Sequence, residues 1–196
     1  VPYAKLITVD PYHRGDNHDD RVSIYDLVRA LDLLVLRRPD VINLSLAGPE
    51  SPLLKDAIDA ATIANVTVVA AAGNDGPKAK PVFPAAYDAV IAVTALDKNY
   101  AVYRRAVRGA HIDFSAPGVD VMTAAPGQQI RKRSGTSYAT PFVTAAAALE
   151  IANSPAMGQA ELIERLSANA RDLGQSGRDR VFGWGLIQAT GLCMPP

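Results

Sequence analysis

Apolar residues follow two alternating patterns along this chain. Short apolar runs predict buried strands, and longer stretches with apolar residues three or four positions apart predict helices. The predicted strands are residues 6–9, 41–46, 66–71, 90–93, 112–114 and 119–123, and the predicted helices are 22–36, 52–64, 137–153 and 159–168. Strands that alternate with helices indicate an α/β fold, a doubly wound and mostly parallel sheet flanked by helices. We expect one domain over residues 1–190 and a tail at 191–196.

Helix-capping residues support two of these helices. Asp19, Asp20 or Ser23 can cap the first predicted helix, and Ser51 followed by Pro52 supplies a cap and a proline at the start of the second. In a parallel sheet of this kind the chemistry lies at the carboxyl ends of the strands. We therefore look for functional side chains directly after each strand.

Composition excludes several function classes. The chain has 196 residues, of which 48% are hydrophobic, and Lys+Arg and Asp+Glu both total 20. Balanced charge gives no global attraction to nucleic acid or to an anionic membrane, and no apolar run reaches the roughly 18 residues that span a bilayer. The short basic groups at 37–38, 104–105 and 131–133 are predicted to be solvated loop ends. Cys193, the single cysteine, excludes an intramolecular disulfide.

The segment 134–141 places one serine hydroxyl at the start of a helix. A Gly-Thr-Ser turn leads into a run of small residues, and Pro141 is tolerated only near a helix N-terminus, which puts Ser137 at or beside the cap. Unpaired N–H groups there favour negative charge. Such a position suits a serine nucleophile whose reaction develops an oxyanion.

Two further segments could complete a site with Ser137. Asn74 ends a predicted strand in Gly-Asn-Asp-Gly. Taken alone, this pattern is typical of a turn residue, but the Asn74 amide could also donate to an oxyanion. Residues 45–49 leave another strand with small side chains, and such an open edge can pair with an extended peptide.

Together these segments resemble the subtilisin-like serine proteases, or subtilases. The similar stretches are 41–46, 71–74, 114–119, 135–141 and 183–187, in the order of the family and over nearly the whole chain. The resemblance implies Ser137 as the acyl-forming nucleophile and Asn74 as the oxyanion donor. It also implies that a peptide or protein substrate binds as a strand along Ser45, Leu46, Ala47 and Gly48. The side-chain pockets would have small walls, formed by Ala71, Ala72 and Gly73.

The family's catalytic Asp and His motifs do not occur in these 196 residues. The family order is Asp, His, Ser, so we expect a partial catalytic domain that lacks the Asp strand and the His helix. Alone it should be inactive; the missing N-terminal segment, or an oligomer, would cover the exposed face. His13 and His18 lie in a polar loop and are poor substitutes for the general base.

Metal binding is implied only weakly. Asp16, His18 and Asp20 could bind a metal, but acidic residues before a helix are ordinary caps. His111 and Asp113 lie by resemblance near a weak cation site of the family, and we expect His111 to be a surface histidine. A structural calcium at that site would be bound by Asp113 and the carbonyls of Ala85, Tyr87 and Val90. No cofactor is required for the implied chemistry.

Other functions remain to be weighed. A non-catalytic subtilase-like domain could bind peptides as a scaffold. An α/β hydrolase would need a Gly-x-Ser-x-Gly elbow, and a nucleotide site a Gly-x-Gly-x-x-Gly motif; the chain has neither. By family resemblance alone, the protein is expected to be secreted or periplasmic.

Overall fold

The chain folds around a parallel sheet with helices on both faces. The structure is a computed structural model that describes residues 1, 3–14 and 20–190. Its strands are β1 (His13–Arg14), β2 (Asp20–Arg21), β3 (Val41–Leu44), β4 (Thr67–Ala71), β5 (Val90–Leu96), β6 (Ile112–Pro117), β7 (Val121–Ala125) and β8 (Gln129–Arg133). Its helices are α1 (Ile24–Val35), α2 (Pro52–Ile63), α3 (Thr136–Asn153) and α4 (Gln159–Asn169).

The central sheet has the strand order β3-β4-β5-β6, and each neighbouring pair is parallel. Every residue of β4 and β5 is buried, as expected for continuous apolar strands covered on both faces. The predicted α/β architecture is therefore confirmed.

Successive residues of a strand point to opposite faces of the sheet, and the two cores follow this alternation. Val68 belongs to the cluster that packs under α1 and α2, with Leu31 and Ile58. Val69 belongs to the opposite cluster, with Val143 of α3 and Leu162 of α4. Because α3 contacts all four strands of the sheet, its N-terminus is fixed relative to each strand end.

The predicted helix caps are confirmed for the first two helices. The Ser23 side chain accepts a hydrogen bond from the backbone N–H of Asp26, and the Ser51 side chain accepts one from Leu54, with Pro52 at the start of α2. Side-chain oxygens here satisfy N–H groups that have no partner within the helix.

The predicted strand at residues 6–9 is wrong. These residues form no ladder, and Leu6 is 85% exposed. A strand requires a hydrogen-bonded neighbour, and none of the described strands pairs with this segment. The apolar pattern of residues 6–9 therefore does not produce a strand.

The basic segment 131–133 is not a loop end, as predicted, but part of β8. This strand pairs with β7 in an antiparallel hairpin, with Thr123 opposite Arg131. Every residue of β8 is exposed. The segment therefore lacks the alternation of buried and exposed residues that would indicate a strand.

Several predictions lie outside the described residues: the tail at 191–196 with Cys193, and the metal ligands Asp16 and His18. Across residues 1, 3–14 and 20–190, no helix is sufficiently long and apolar to cross a membrane.

Candidate active site

Ser137 is the second residue of α3, and its surroundings follow from a proline four residues later. In an α-helix the carbonyl of residue i accepts from the N–H of residue i+4, but Pro141 has no N–H. The Ser137 carbonyl instead accepts a hydrogen bond from Ser45 Oγ at 2.9 Å. Pro141 therefore lies inside the helix rather than in its first turn as predicted, and it leaves an acceptor that ties α3 to the segment after β3.

The Ser137 hydroxyl is bonded to the same segment. Its Oγ donates to the Ser45 carbonyl at 3.1 Å. Ser45 Oγ also accepts from Asn43 Nδ2 at 2.9 Å, and Asn43 Oδ1 accepts from Thr144 Oγ1 at 3.0 Å. This chain of polar contacts joins β3 to α3 at two points. Sequence reasoning missed Asn43, although a polar residue inside an apolar strand was a usable signal.

Asn74 is oriented by the residue before Ser137. Its Oδ1 accepts from the backbone N–H of Thr136 at 3.0 Å and from Thr136 Oγ1 at 3.3 Å. The Gly73 N–H in turn donates to Thr136 Oγ1 at 3.1 Å. Because the oxygen of the amide is used on the protein, Asn74 Nδ2 stays free to donate. Thr136 is a further positioning residue that sequence reasoning missed.

Two hydrogen-bond donors at this position have no acceptor among the described residues. One is Asn74 Nδ2, and the other is the backbone N–H of Ser137 at the start of α3. The turn that carries Asn74 is fixed from behind, since Arg105 Nε donates to the Asn74 carbonyl at 3.1 Å and Gly76 N–H donates to the Arg105 carbonyl at 2.8 Å. Preorganised donors of this kind can stabilise an oxyanion.

Gly118 allows the turn before α3 to lie close to the sheet. The Gly135 N–H donates to the Gly118 carbonyl at 2.8 Å. A Cβ at position 118 would lie 2.5 Å from Ala95 Cβ and 2.9 Å from the Gly135 carbonyl oxygen. The Ala-Pro-Gly segment at 116–118 therefore supports the turn that carries Ser137.

A cleft of about 540 Å³ lies beside the predicted substrate segment. Gly48 pairs with Phe83 in an antiparallel bridge, with N–H···O distances of 2.8 and 3.0 Å. The lining residues are Ala47, Gly48, Pro49, Glu50, Asp75, Ala79, Lys80, Pro81, Val82 and Phe83.

The predicted pocket wall does not line this cleft, because Ala71, Ala72 and Gly73 are buried. Ala47 and Gly48, of the predicted substrate-binding segment, do line it. Sequence reasoning missed the 79–83 loop as a wall, because no pattern in it predicted that Phe83 would pair with Gly48.

Neither histidine of the described part of the chain hydrogen-bonds to Ser137. His13 Nε2 lies 3.1 Å from Asp26 Oδ2 at the start of α1. His111 is half-buried and its Nε2 is fully buried without a partner, so the expectation of a surface histidine is wrong. Burial, together with the nearby Arg178 guanidinium, lowers the pKa of His111.

Asp113, the predicted calcium ligand, uses both carboxylate oxygens within the protein. Oδ2 accepts from the Ala92 N–H at 2.8 Å, and Oδ1 accepts from Arg178 Nη2 at 2.8 Å. Burial raises the pKa of Asp113 to about 6, against the opposing effects of these two contacts. An added cation would meet the Arg178 charge, so this arrangement does not fit a calcium ion. Across residues 1, 3–14 and 20–190, no three His, Cys, Asp or Glu side chains form a metal-binding group.

Comparison with known proteins agrees with the geometry. The model of the subtilase family matches residues 1–185. The chain is 36% identical over 190 residues to the minor extracellular protease Epr of Bacillus subtilis, covering 96% of this chain and 29% of that protein. It is 41% identical over 152 residues to subtilisin DY of Bacillus licheniformis, covering 76% of this chain and 54% of that protein. The chain thus spans less than two thirds of the length of these relatives, and it belongs to the subtilase family.

Proposed function

We propose that the protein is a subtilisin-type serine endopeptidase in which this chain supplies the nucleophile and the oxyanion hole. The observation that carries the proposal is the bond between Asn74 Oδ1 and the Thr136 N–H at 3.0 Å. This bond holds the Asn74 amide at Thr136, the residue before Ser137, and leaves Asn74 Nδ2 free to donate. A purely structural turn would not need a donor kept free at that position.

The proposed reaction proceeds through an acyl-enzyme. Ser137 Oγ attacks the carbonyl carbon of the scissile peptide while a general base takes the hydroxyl proton. The tetrahedral oxyanion accepts hydrogen bonds from Asn74 Nδ2 and the Ser137 N–H. The C–N bond then breaks, and the leaving amine takes up that proton. Water next attacks the ester carbonyl while the base takes a proton from the water, and the Ser137 oxygen leaves with that proton.

The general base is proposed to come from outside these 196 residues. The hydroxyl of Ser137 donates to the Ser45 carbonyl at 3.1 Å, and a carbonyl oxygen cannot accept a proton at neutral pH. β3 lies at one edge of the central sheet, and none of the described strands pairs with its free side. A preceding segment with the catalytic Asp and His would add its strand there. In subtilisin, the enzyme on which the effect was measured, loss of the histidine costs about 10⁶ in turnover. The chain alone is therefore expected to be inactive.

The substrate is proposed to be a peptide or protein in extended conformation. It would lie along Ser45, Leu46, Ala47 and Gly48 and place one side chain in the cleft beside Asp75. Secretion of the protein is likewise proposed, by analogy with a relative that is named as extracellular. No cofactor enters the proposed steps.

A serine-directed fluorophosphonate probe tests the proposal on the intact protein in which this chain occurs. We expect one adduct, located on Ser137 by peptide mass spectrometry, and loss of that adduct in Ser137→Ala. Ser176→Ala is the matched control, because Ser176 is exposed and far along the chain from the turn. An intact, folded protein that gives no adduct on Ser137 would instead support the alternative, a non-catalytic peptide-binding domain.

A further inference from the structure

A second depression, of about 480 Å³, shares Ala79 and Pro81 with the cleft at Gly48, and its charged residues all carry the same sign. Lys78, Arg108 and Arg180 line it, and no Asp or Glu does. The chain as a whole has equal numbers of acidic and basic residues. Three cations around one depression are therefore a local feature and do not reflect a basic surface.

None of these three cations is neutralised within the described part of the chain. The ion pairs there involve His13, Lys55, Arg165 and Arg178, and no hydrogen bond is made by the side chains of Lys78, Arg108 or Arg180. Like charges around one concave surface repel each other unless an anion lies between them. Arginine also presents a planar set of N–H donors that suits carboxylate and phosphate oxygens.

The backbone around the depression is fixed. The Gly109 N–H donates to the Arg180 carbonyl at 3.0 Å, which joins the loop of Arg108 to the loop of Arg180. The His111 ring packs against Gly109, since a Cβ there would lie 2.6 Å from His111 Nδ1. The two arginines therefore come from backbones that hold each other in place. His111 Nε2 is buried, so it is not counted among the donors.

We propose that Lys78, Arg108 and Arg180 form a binding site for a small polyvalent oxyanion, such as a phosphate group or a polycarboxylate. The family resemblance places a cation near this point, at His111 and Asp113. In this chain Arg178 already neutralises Asp113 at 2.8 Å, and the adjacent depression presents only positive charge. The site is separate from Ser137, so binding there does not depend on the proposed peptidase activity.

Isothermal titration calorimetry on the intact protein, at constant ionic strength in chloride, tests this site with three probes: inorganic phosphate, citrate and acetate. We expect saturable binding of phosphate or citrate and much weaker binding of monovalent acetate. Each arginine is expected to contribute about tenfold in affinity, typical of hydrogen bonds to charged groups. Arg108→Gln and Arg180→Gln should each lower the affinity by that factor, and the double variant by more.

Arg37→Gln is the matched control, because it removes the same charge from an exposed position after α1. Its affinity should equal that of the parent protein. Phosphate also stabilises proteins without binding to a site, but that effect does not saturate and would be equal in all variants. The inference is overturned if the parent shows no saturable binding, if acetate binds as tightly as phosphate and citrate, or if the folded double variant binds like the control. Should the double variant fail to fold, the two single variants decide the same question.

Discussion

Ser45 and Ser137 are joined by two hydrogen bonds that run in opposite directions. Ser137 Oγ donates to the Ser45 carbonyl at 3.1 Å, and Ser45 Oγ donates to the Ser137 carbonyl at 2.9 Å. The second bond has an acceptor because Pro141 leaves the Ser137 carbonyl without a helical partner. The candidate nucleophile is thus fixed directly to the segment predicted to hold the substrate.

Ser45→Ala should lower the free energy of unfolding by about 1–3 kcal/mol, because it leaves the half-buried Ser137 carbonyl without a donor. Urea denaturation of the intact protein measures this change. Ser45→Thr keeps the hydroxyl and should recover most of the loss, whereas Ser176→Ala should have almost no effect. Equal stabilities of Ser45→Ala and the parent protein would show that the Ser137 carbonyl is satisfied in another way.

Asn74→Asp separates the two proposed roles of the asparagine. An aspartate still offers an oxygen to the Thr136 N–H, so stability should change little, but it has no amide to donate to an oxyanion. We expect kcat for a peptide substrate to fall by at least about 10². Asn74→Ala should lose activity and stability together, because the Thr136 N–H then has no acceptor. An unchanged kcat in Asn74→Asp would remove Asn74 from the oxyanion hole.

Gly118→Ala should destabilise the turn that carries Ser137. The added Cβ would lie 2.5 Å from Ala95 Cβ and 2.9 Å from the Gly135 carbonyl oxygen. Neither atom can rotate away, and overpacking of this kind costs about 1–3 kcal/mol. Gly48→Ala is the matched control, because nothing lies within 4 Å of a Cβ there. The comparison uses thermal unfolding, and equal melting temperatures of the two variants would contradict the close packing at Gly118.

The sequence predicts the parts of the fold and site that depend on local pattern. The strand at 67–71 and the capped helix after Ser51 were predictable because apolar runs, caps and prolines act over a few residues. Contacts between distant segments carried no such signal: Thr136 orients Asn74 across 62 positions of sequence, and Phe83 pairs with Gly48. The prediction of a strand at residues 6–9 was wrong because the local apolar pattern was present but a neighbouring strand was not.

The charges of the proposed substrate cleft predict a preference among side chains. Asp75 and Glu50 line the cleft together with Lys80, which leaves one negative charge in excess. Peptides with Lys at the position that enters the cleft should be cleaved faster than peptides with Gln there, as measured by kcat/KM. Asp75→Asn should reduce this ratio about two- to fivefold, the range for an exposed charge pair, and added salt should do the same. Asp56→Asn is the control, because Asp56 lies on α2 outside the cleft lining, and it should leave the ratio unchanged. A ratio that does not change in Asp75→Asn would show that the Lys side chain of the peptide does not bind beside Asp75.

Asp113 should make the stability of the protein depend on pH in an unusual direction. Burial raises its pKa from 3.8 to about 6 in the folded state. The folded protein therefore binds this proton more tightly than the unfolded chain does, and the stability that the neutral carboxyl supplies below pH 3.8 is lost as the pH rises through about 6. A paired carboxylate with a lowered pKa would give the opposite slope.

Asp113→Asn removes this titration. We expect the difference in free energy of unfolding between the parent and Asp113→Asn to change steadily from about pH 4 to about pH 6, in favour of the variant, and to level off above that range. Urea denaturation at a series of pH values measures it. Asp40→Asn serves as the control, because Asp40 is exposed and its side chain makes no hydrogen bond or ion pair within the described residues; its curve should run parallel to that of the parent. Parallel curves for Asp113→Asn as well would show that the Arg178 contact cancels the effect of burial, and a difference that moves in favour of the parent would show that the contact outweighs it.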